Sequence, residues 1–393
     1  MATAVLDLDI NNLPPEISGL TSYTNAFVLL RFNSRPIGKV LLGVKEGRLL
    51  LSENLPLLLK AVGPTLWLSQ VHAFLEWNER EVPGFIPPLA TVAVCTRNRT
   101  EDLKRCLEAL LRLPDIGQEY LIVDNCPSTE ETCHLVAAYP RMRYVREDRP
   151  GLNIARNRAI TEAKHEIVAF TDDDATPDAG WLRALLANFS NPLVQCVTGL
   201  TMPLELETEA QETFERFTPF GRGFTRREYT GTSLNPLATG RIGAGANMAI
   251  RKSVCEEIGL FDEALDAGTP THSGGDHDIF TRILIAGYTI VYEPSALSWH
   301  RHRKSMQELR TTLYGYGVGV YALLTRHLTQ NREWGVFRIA FSWFWHSQLR
   351  LLLKALLHYP NAMPASLVIA ELQGCLAGPR AYFKSRKRLR TQH

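Results

Sequence analysis

The sequence lacks a long uninterrupted hydrophobic run, an excess of charge of one sign and a regular spacing of cysteines. Its 43 lysines and arginines nearly balance 41 aspartates and glutamates, which leaves a formal net charge of +2. So small a net charge provides no global field to recruit nucleic acid, and we expect no nucleic-acid partner. Apolar residues make up 45% of the chain, which is typical of a globular protein rather than a disordered one.

The seven cysteines form an odd set without a CxxC pair. Disulfide frameworks and structural zinc sites use regularly spaced cysteines, so reduced thiols in a cytosolic protein are the simpler interpretation. The residues from Met1 to Asn12 include aspartates but no basic residue, unlike the start of a secretory signal. We therefore expect a cytoplasmic protein.

The most hydrophobic stretch, Val336 to Leu357, is interrupted by basic residues, namely Arg338, His346, Arg350 and Lys354. These charges make a membrane-spanning helix a poor interpretation. Two alternatives remain. The segment either caps the neighbouring domain as an ordinary helical pair, or it lies on an anionic membrane surface at the cytoplasmic face of the plasma membrane.

The length of 393 residues favours more than one folding unit. We predict a small accessory module over residues 1–82, with strands Ala26 to Phe32 and Lys39 to Val44 around a turn at Arg35 to Gly38. A stiff linker over residues 83–88 contains three prolines and a glycine. An α/β domain over residues 89–304 and a helical extension over residues 305–393 follow.

From Leu89 to Leu200, apolar runs alternate with segments of helical periodicity, as in βαβ units on a parallel sheet. Ligands of such sheets bind at the carboxyl ends of the strands. Polar residues that directly follow predicted strands are therefore candidates for a site. They are Thr96, Arg97 and Arg99 after the first strand, Asp124 after the second, and Asp172, Asp173 and Asp174 after the fourth.

The aspartate run is the strongest local feature. Consecutive carboxylates repel one another unless a cation lies between them, and Mg²⁺ or Mn²⁺ would suit a site that also takes substrate phosphates. Such an ion neutralises the charge that builds on a departing diphosphate. The alternative is a solvated acidic turn. For Asp124, contact with a base or ribose and a role in a turn are both open.

A second polar region follows the predicted sheet. Gly243 and Gly245 either let the backbone approach a ligand or form a turn. Asp276 and Asp278 open an amphipathic segment, as helix caps or as a general base. His300 lies in a cluster of histidine and arginine that suits a metal and phosphate, or is solvated on a loop after a strand over 289–292.

The order of these motifs resembles that of family 2 glycosyltransferases. The matching segments are Thr96 to Arg99 (TxNR), Val123 to Asn125 (VDN), Gly151 to Asn157 (GLNxARN), Asp172 to Asp174 (DDD), Gly245 to Arg251 (GxNMAxR), Gly259 to Glu263 (GxFDE), Gly274 to Asp278 (GGDxD) and Trp299 to Arg303 (WHxHR). The resemblance implies an α/β GT-A fold, Rossmann-like with a mostly parallel sheet flanked by helices, and an inverting single displacement.

The resemblance also implies roles for individual residues. The nucleotide sugar is expected to contact Thr96, Arg97, Arg99, Asp124, Arg156, Asp172 and Asp173. The metal, Mn²⁺ or Mg²⁺, is expected to be bound by Asp172 and Asp174, the DxD pair, and by His300. Asp276 is the expected catalytic base, and Asn247 and Asp278 are expected to contact the acceptor, with Asp278 as the alternative base.

One position departs from the family pattern, because Gly275 replaces the glutamate that normally precedes the base. The implied partners are a nucleotide-sugar donor carrying a hexosyl or deoxyhexosyl group and a glycan or lipid-linked acceptor, as in envelope polysaccharide or glycolipid synthesis. Gly275 leaves a non-catalytic sugar-nucleotide binding protein as an alternative. A nucleotidyltransferase is a further alternative, although the first strand is not followed by a glycine-rich loop with a lysine.

Overall fold

A computed structural model of the protein describes residues 2–75 and 85–391. The start of the predicted linker, at residues 83 and 84, lies outside the described residues, and residues 85–89 have no regular secondary structure. The described chain forms a small amino-terminal unit, a central α/β domain and a helical carboxyl-terminal extension.

The amino-terminal unit contains five strands and one long helix. They are β1 (Ala2–Asp9), β2 (Glu16–Ile17), β3 (Tyr23–Phe32), β4 (Arg35–Gly43), β5 (Leu49–Leu50) and α1 (Leu55–Phe74). The predicted hairpin is present, but its turn lies at Asn33 and Ser34, both with positive φ. The prediction of a turn from Arg35 to Gly38 was therefore wrong, because Asn and Ser provide the two-residue turn that joins twisted antiparallel strands.

This unit packs directly on the central domain. Arg31 forms an ion pair of 2.8 Å with Asp178, and Lys39 forms one of 2.6 Å with Glu215. Phe27 belongs to the main hydrophobic core of the central domain. The unit therefore forms part of the same packed structure as the central domain.

The central domain is built on one large, mostly parallel sheet. Its strands are β6 (Ala90–Thr96), β7 (Glu119–Asn125), β8 (Met142–Glu147), β9 (Ile167–Asp172), β10 (Ala175–Pro177), β11 (Val194–Pro203), β12 (Arg227–Tyr229), β13 (Asn247–Arg251) and β14 (Thr289–His300). Their order is β10-β14-β11-β13-β9-β6-β7-β8, with β12 paired to β14. The strand pairs β6–β7, β7–β8, β6–β9 and β11–β14 are parallel, which confirms the predicted α/β class.

Seven helices cover this sheet. They are α2 (Thr100–Leu111), α3 (Glu131–Ala137), α4 (Leu152–Glu162), α5 (Trp181–Leu186), α6 (Glu209–Phe217), α7 (Lys252–Ile258) and α8 (Gly275–Ile285). In α2, Leu103, Leu107 and Leu110 are fully buried, as their helical spacing predicts. Burial on both faces explains why the strands are apolar runs rather than alternating ones.

The extension consists of α9 (Met306–Asn331), α10 (Val336–Trp343), α11 (Arg350–Leu356) and α12 (Ala365–Arg390), and residues 344–349 form a π-helical turn between α10 and α11. Glycines allow α9 and α12 to pack closely, because a Cβ at Gly317 would lie 2.1 Å from the Glu371 carbonyl oxygen. Among residues 2–75 and 85–391, every helix is too short or too polar to cross a bilayer.

Candidate active site

The sheet brings the aspartate run and the late histidine together. Strand β9 ends at Asp172, and β10 pairs with β14 so that Ala175 lies opposite His300. The Nε2 atom of His300 is 3.0 Å from Asp174 Oδ1 and 3.9 Å from Asp172 Oδ2. Strand β14 continues to His300, so the prediction that this histidine follows a shorter strand on a loop was wrong.

The three side chains fit a divalent cation. Their ligand atoms all lie within 4.8 Å of one another. Asp174 Oδ1 is buried and, within the described residues, has no hydrogen-bond donor aligned with it, even though His300 is close. Two carboxylates and an imidazole are ligands that Mn²⁺ accepts, and the carboxylates alone suit Mg²⁺.

Electrostatics act differently on the members of this cluster, since burial and the charge of Asp174 raise the pKa of Asp172. Burial opposes ionisation of Asp174, but His300 and Arg99 outweigh it and lower the pKa of Asp174 well below its usual range. Burial also opposes the charging of His300, yet Asp174 and Asp172 raise the pKa of His300. The negative charge at this position is therefore present at neutral pH.

Asp173 points into a different set of contacts. It accepts hydrogen bonds from Thr96 Oγ1 at 2.7 Å and from Arg99 Nη1 at 2.9 Å. The Nη2 atom of Arg99 contacts Asp174 Oδ2 at 2.8 Å and also Asp102 at 2.9 Å. Thr96, Arg99 and Asp173 line the cavity described next, and they also fix the loop after β6 against the aspartate run.

A cavity of about 1210 Å³ opens beside Asp172, Asp174 and His300, which we call the metal-type cluster. Of the residues predicted to contact the nucleotide, Arg97 and Arg156 line this cavity, whereas Asp124 is not among its lining residues. Asp124 is fully buried and accepts a hydrogen bond from the Tyr144 hydroxyl at 2.9 Å. The neighbouring Asn125 takes the lining position instead, so the predicted nucleotide contact of Asp124 is not supported by its exposure.

Asp276 lies in the first turn of α8 and faces the same cavity. Its Oδ2 atom accepts a hydrogen bond of 2.8 Å from the backbone N–H of Gly245. Burial opposes its ionisation, but His277, Arg156 and two backbone N–H groups outweigh burial and lower the pKa of Asp276. A Cβ at Gly245 would lie 2.8 Å from Arg156 Nη2, so this close approach requires glycine.

The side chains of Asp266 and Asn153 occupy the space in which a side chain at position 275 would begin. A Cβ at Gly275 would lie 2.4 Å from Asp266 Oδ2 and 2.2 Å from Asn153 Nδ2. Asp266 lines the cavity, has a left-handed backbone with φ of 84°, and accepts a 2.8 Å hydrogen bond from Arg156 Nη1. A second carboxylate therefore stands beside Asp276, and sequence reasoning missed it because Asp266 belongs to an irregular loop.

Asn247 is not among the residues that line the cavity, so its expected acceptor contact gains no support from the structure. Its side chain is fully buried. Its Oδ1 atom accepts a hydrogen bond from Trp181 Nε1 at 2.8 Å, and its Nδ2 atom donates to the carbonyl oxygens of Leu200 and Ala296. The asparagine satisfies buried polar groups between strands and helix α5.

Asp278, expected as an acceptor contact or alternative base, is likewise not among the residues that line the cavity. It is fully buried and forms ion pairs of 2.9 Å with Arg282, 2.9 Å with Arg326 and 3.1 Å with His327. Two of these partners belong to α9. Asp278 therefore ties the extension to the central domain.

The fold belongs to a class with solved members. The mannosyltransferase PcManGT from Pyrobaculum calidifontis, in complex with GDP-Man and Mn²⁺, is similar over 80% of this chain and 94% of its own, with a TM-score of 0.53 and 17% sequence identity. At this identity the similarity concerns the fold, which is that of the GT-A glycosyltransferases.

The sequence of the chain is also similar to those of known glycosyltransferases. Residues 91–259 match the family model for glycosyl transferase family 2. The pre-mycofactocin glycosyltransferase of Mycobacterium tuberculosis is 29% identical over 241 residues, covering 60% of this chain and 48% of that relative. The glycosyltransferase AglE of Haloferax volcanii is 26% identical over 225 residues, covering 55% of this chain and 68% of that relative. The chain spans about half the length of the mycobacterial relative, and its central domain is similar to glycosyl transferase family 2 over residues 91–259.

Proposed function

We propose that the protein is an inverting, metal-dependent glycosyltransferase that moves a sugar from a nucleotide donor to an acceptor hydroxyl. The observation that carries this proposal is the cavity itself. It is lined at one place by Asp172, Asp174 and His300, whose ligand atoms cluster, and at another by Asp276, whose pKa is lowered.

Asp172, Asp174 and His300 would hold Mn²⁺ or Mg²⁺, which would neutralise the charge developing on the departing nucleoside diphosphate. Arg97 lines the same cavity, and Arg303 Nη1 lies 3.8 Å from Asp174 Oδ2. Guanidinium groups at these positions are suited to binding phosphate oxygens.

Asp276 is the proposed catalytic base. It accepts the proton of the acceptor hydroxyl while that oxygen attacks the anomeric carbon, and the bond from this carbon to the donor phosphate oxygen breaks on the opposite face. The Gly245 N–H fixes one carboxylate oxygen of Asp276 at 2.8 Å, so the base is oriented before the substrate binds. An attack of this geometry inverts the anomeric configuration through an oxocarbenium-like transition state.

Calorimetric titration with UDP-, GDP- and dTDP-sugars, with and without Mn²⁺, tests this proposal. We expect one donor class to bind in a Mn²⁺-dependent manner and to be cleaved slowly to the nucleoside diphosphate. Pyrophosphate release from a nucleoside triphosphate would instead identify a nucleotidyltransferase. Binding without cleavage, in the presence of a broad acceptor mixture, would identify a sugar-nucleotide binding protein.

The acceptor is proposed to be a glycan or lipid-linked molecule, as in envelope polysaccharide or glycolipid synthesis, reached at the cytoplasmic face of a membrane. The segment from Trp334 to Leu357 supports this, because Trp334, Phe341 and Leu357 are 73%, 63% and 69% exposed. No acidic residue occurs from residue 334 to residue 370. Trp343 and His346 of this segment also line the cavity.

Cosedimentation with vesicles tests the membrane proposal. We expect binding to vesicles containing phosphatidylglycerol, weak binding to pure phosphatidylcholine, and reduced binding for Phe341→Ser. Leu376→Ser is the matched control, because Leu376 is 86% exposed but lies on α12. Equal sedimentation of wild type and Phe341→Ser would reject this surface.

The proposed functional units are the accessory module 1–82, the linker 83–88, the catalytic domain 89–304 and the extension 305–393. The ion pairs of Asp278 with α9 join the last two units. Limited proteolysis is expected to cut first in the linker. A first cut between residues 300 and 310 would contradict this division.

A further inference from the structure

One arginine of the cavity is only partly buried, and within residues 2–75 and 85–391 it has no carboxylate partner. Arg222 follows α6 and lines the cavity. Its Nη1 atom donates a hydrogen bond of 2.6 Å to the Pro219 carbonyl oxygen, while its Nε atom is buried and has no hydrogen-bond partner within residues 2–75 and 85–391. Within those residues Arg222 also forms no ion pair.

Arg156, a buried arginine of the same cavity, shows what a carboxylate partner contributes. Arg156 forms an ion pair of 2.8 Å with Asp266, and this pair, with Asp172 and Asp276, outweighs burial and raises the pKa of Arg156. At Arg222 burial dominates and lowers the pKa. Burying the Nε atom of a guanidinium without an acceptor carries a desolvation cost, which an anion bound in the cavity would offset.

The location of Arg222 indicates which substrate brings this anion. The side chains with the largest electrostatic effect on it are Tyr292, Tyr316 and Asp276. Arg99, in contrast, is affected most by Asp174 and Asp173. The carboxylate that acts most on the charge of Arg222 is therefore that of the proposed base, whereas Arg99 is acted on most by Asp174, a proposed metal ligand.

The loop that carries Arg222 also contacts the metal-type cluster through another residue. The ring of Phe220 lies edge-on to His300, with centroids 5.1 Å apart. One loop thus places an aromatic side chain against His300 and a cation near Asp276. This arrangement suits two substrates that meet in the cavity, with the anion on the acceptor side.

We propose that Arg222 binds an oxyanion of the acceptor, a phosphate or a carboxylate, next to the hydroxyl that Asp276 deprotonates. This inference rests on the proposed transferase function and adds the chemical class of the acceptor. The Nε and Nη2 donors of a guanidinium form the planar fork that pairs with two oxygens of such a group.

Titration with inorganic phosphate and with acetate tests the inference without an identified acceptor. The protein is first saturated with Mn²⁺ and the nucleoside diphosphate that it binds, so that donor phosphates occupy their own position. We expect saturable binding of one anion to wild type, at least about tenfold weaker binding to Arg222→Met, and an intermediate affinity for Arg222→Lys, because a bidentate charged pair becomes a point charge. Arg216→Met, an exposed arginine on α6, is the matched control and is expected to bind as wild type.

Equal anion affinities for wild type and Arg222→Met would overturn the inference. If Arg222→Met instead weakened Mn²⁺-dependent nucleotide binding about as strongly as anion binding, the anion would belong to the donor, and the acceptor assignment would be rejected. The lysine variant keeps the test valid if the methionine variant does not fold. Should wild type bind no nucleotide, the proposed function fails, and the anion titration of the free protein still decides whether Arg222 forms a site.

Discussion

The proposed donor side and the proposed acceptor side of the cavity are built in different ways. On the donor side, Asp172 and Asp174 come from one short segment at the end of β9. On the acceptor side, Arg222, Asp266 and Asp276 come from separate segments, and only Asp276 belongs to a recognisable motif. A contiguous motif defines a metal site well, whereas an acceptor site is assembled from loops whose positions depend on packing. Substituting one residue on each side of the cavity should therefore change different measured quantities.

The largest effect on catalysis is expected for Asp276→Asn. Donor cleavage should fall by about 10² to 10⁴, the usual contribution of a general base, while donor affinity stays within about twofold. Single-turnover kinetics and calorimetry on the same variant measure the two quantities. Asp148→Asn, an exposed position away from the cavity, is the control. Unchanged cleavage by Asp276→Asn would remove the base from the mechanism.

Asp278→Ala should affect stability rather than acceptor binding. Removing one partner from a buried ion pair costs about 3 to 5 kcal/mol, because Arg282 would lose its counter-charge and Arg326 would keep only its pair with Asp262. Urea denaturation measures the free energy of unfolding. Glu256→Ala, on the exposed side of α7, should change it by less than about 0.5 kcal/mol. Full stability of Asp278→Ala would contradict the structural role.

Gly275→Ala tests whether Asp266 fills the acceptor side. The new Cβ would meet Asp266 Oδ2 and Asn153 Nδ2, and overpacking of this kind costs about 1 to 3 kcal/mol. Combining it with Asp266→Ala should recover part of this cost, since one of the two contacts is removed. As the control, Gly63→Ala in α1 has no atom within 4 Å of its Cβ and should be stabilising by about 0.5 to 1 kcal/mol. No difference between the two glycine variants would mean that the site at 275 can relax.

The last comparison is Asp174→Ala, on the proposed donor side, and its effect is expected in nucleotide binding. Nucleotide affinity in Mn²⁺ should fall by at least about tenfold, because even the partners that support metal ligands contribute that much. In EDTA the variant and wild type should bind equally. Calorimetry in both conditions separates the metal contribution from direct contact. Loss of affinity in EDTA as well would show that Asp174 contacts the nucleotide directly or stabilises the loop around Arg99.

The strands and the aspartate run could be predicted because their signals are local. Buried parallel strands are apolar runs, and the residues that follow them reach one edge of the sheet. Asp276 faces the cavity and Asp278 does not, and helix geometry explains this difference. Residues two positions apart in a helix with 3.6 residues per turn point to opposite sides, so only one of the two can face the cavity. For Asn247, the motif by itself does not show that the side chain is buried against α5 and the neighbouring strands.

Asp266 and Arg222 could not be found from the sequence. Both lie in irregular segments, where no periodicity indicates which side chains are buried. Their importance comes from their neighbours, namely the space beside Gly275 for Asp266 and the absence of a carboxylate partner, within the described residues, for Arg222. Such features exist only after distant loops have packed together.

The sequence by itself determined the α/β class, the similarity of residues 91–259 to glycosyl transferase family 2 and the run of carboxylates, because each depends on residues that are neighbours along the chain. Tertiary structure decided which of these groups share a cavity. Pairing of β10 with β14 brings His300 to Asp174, and packing of α8 against the loop at Gly245 orients Asp276. Those contacts join segments far apart in the chain, and the register of the sheet fixes their distances where local propensity does not.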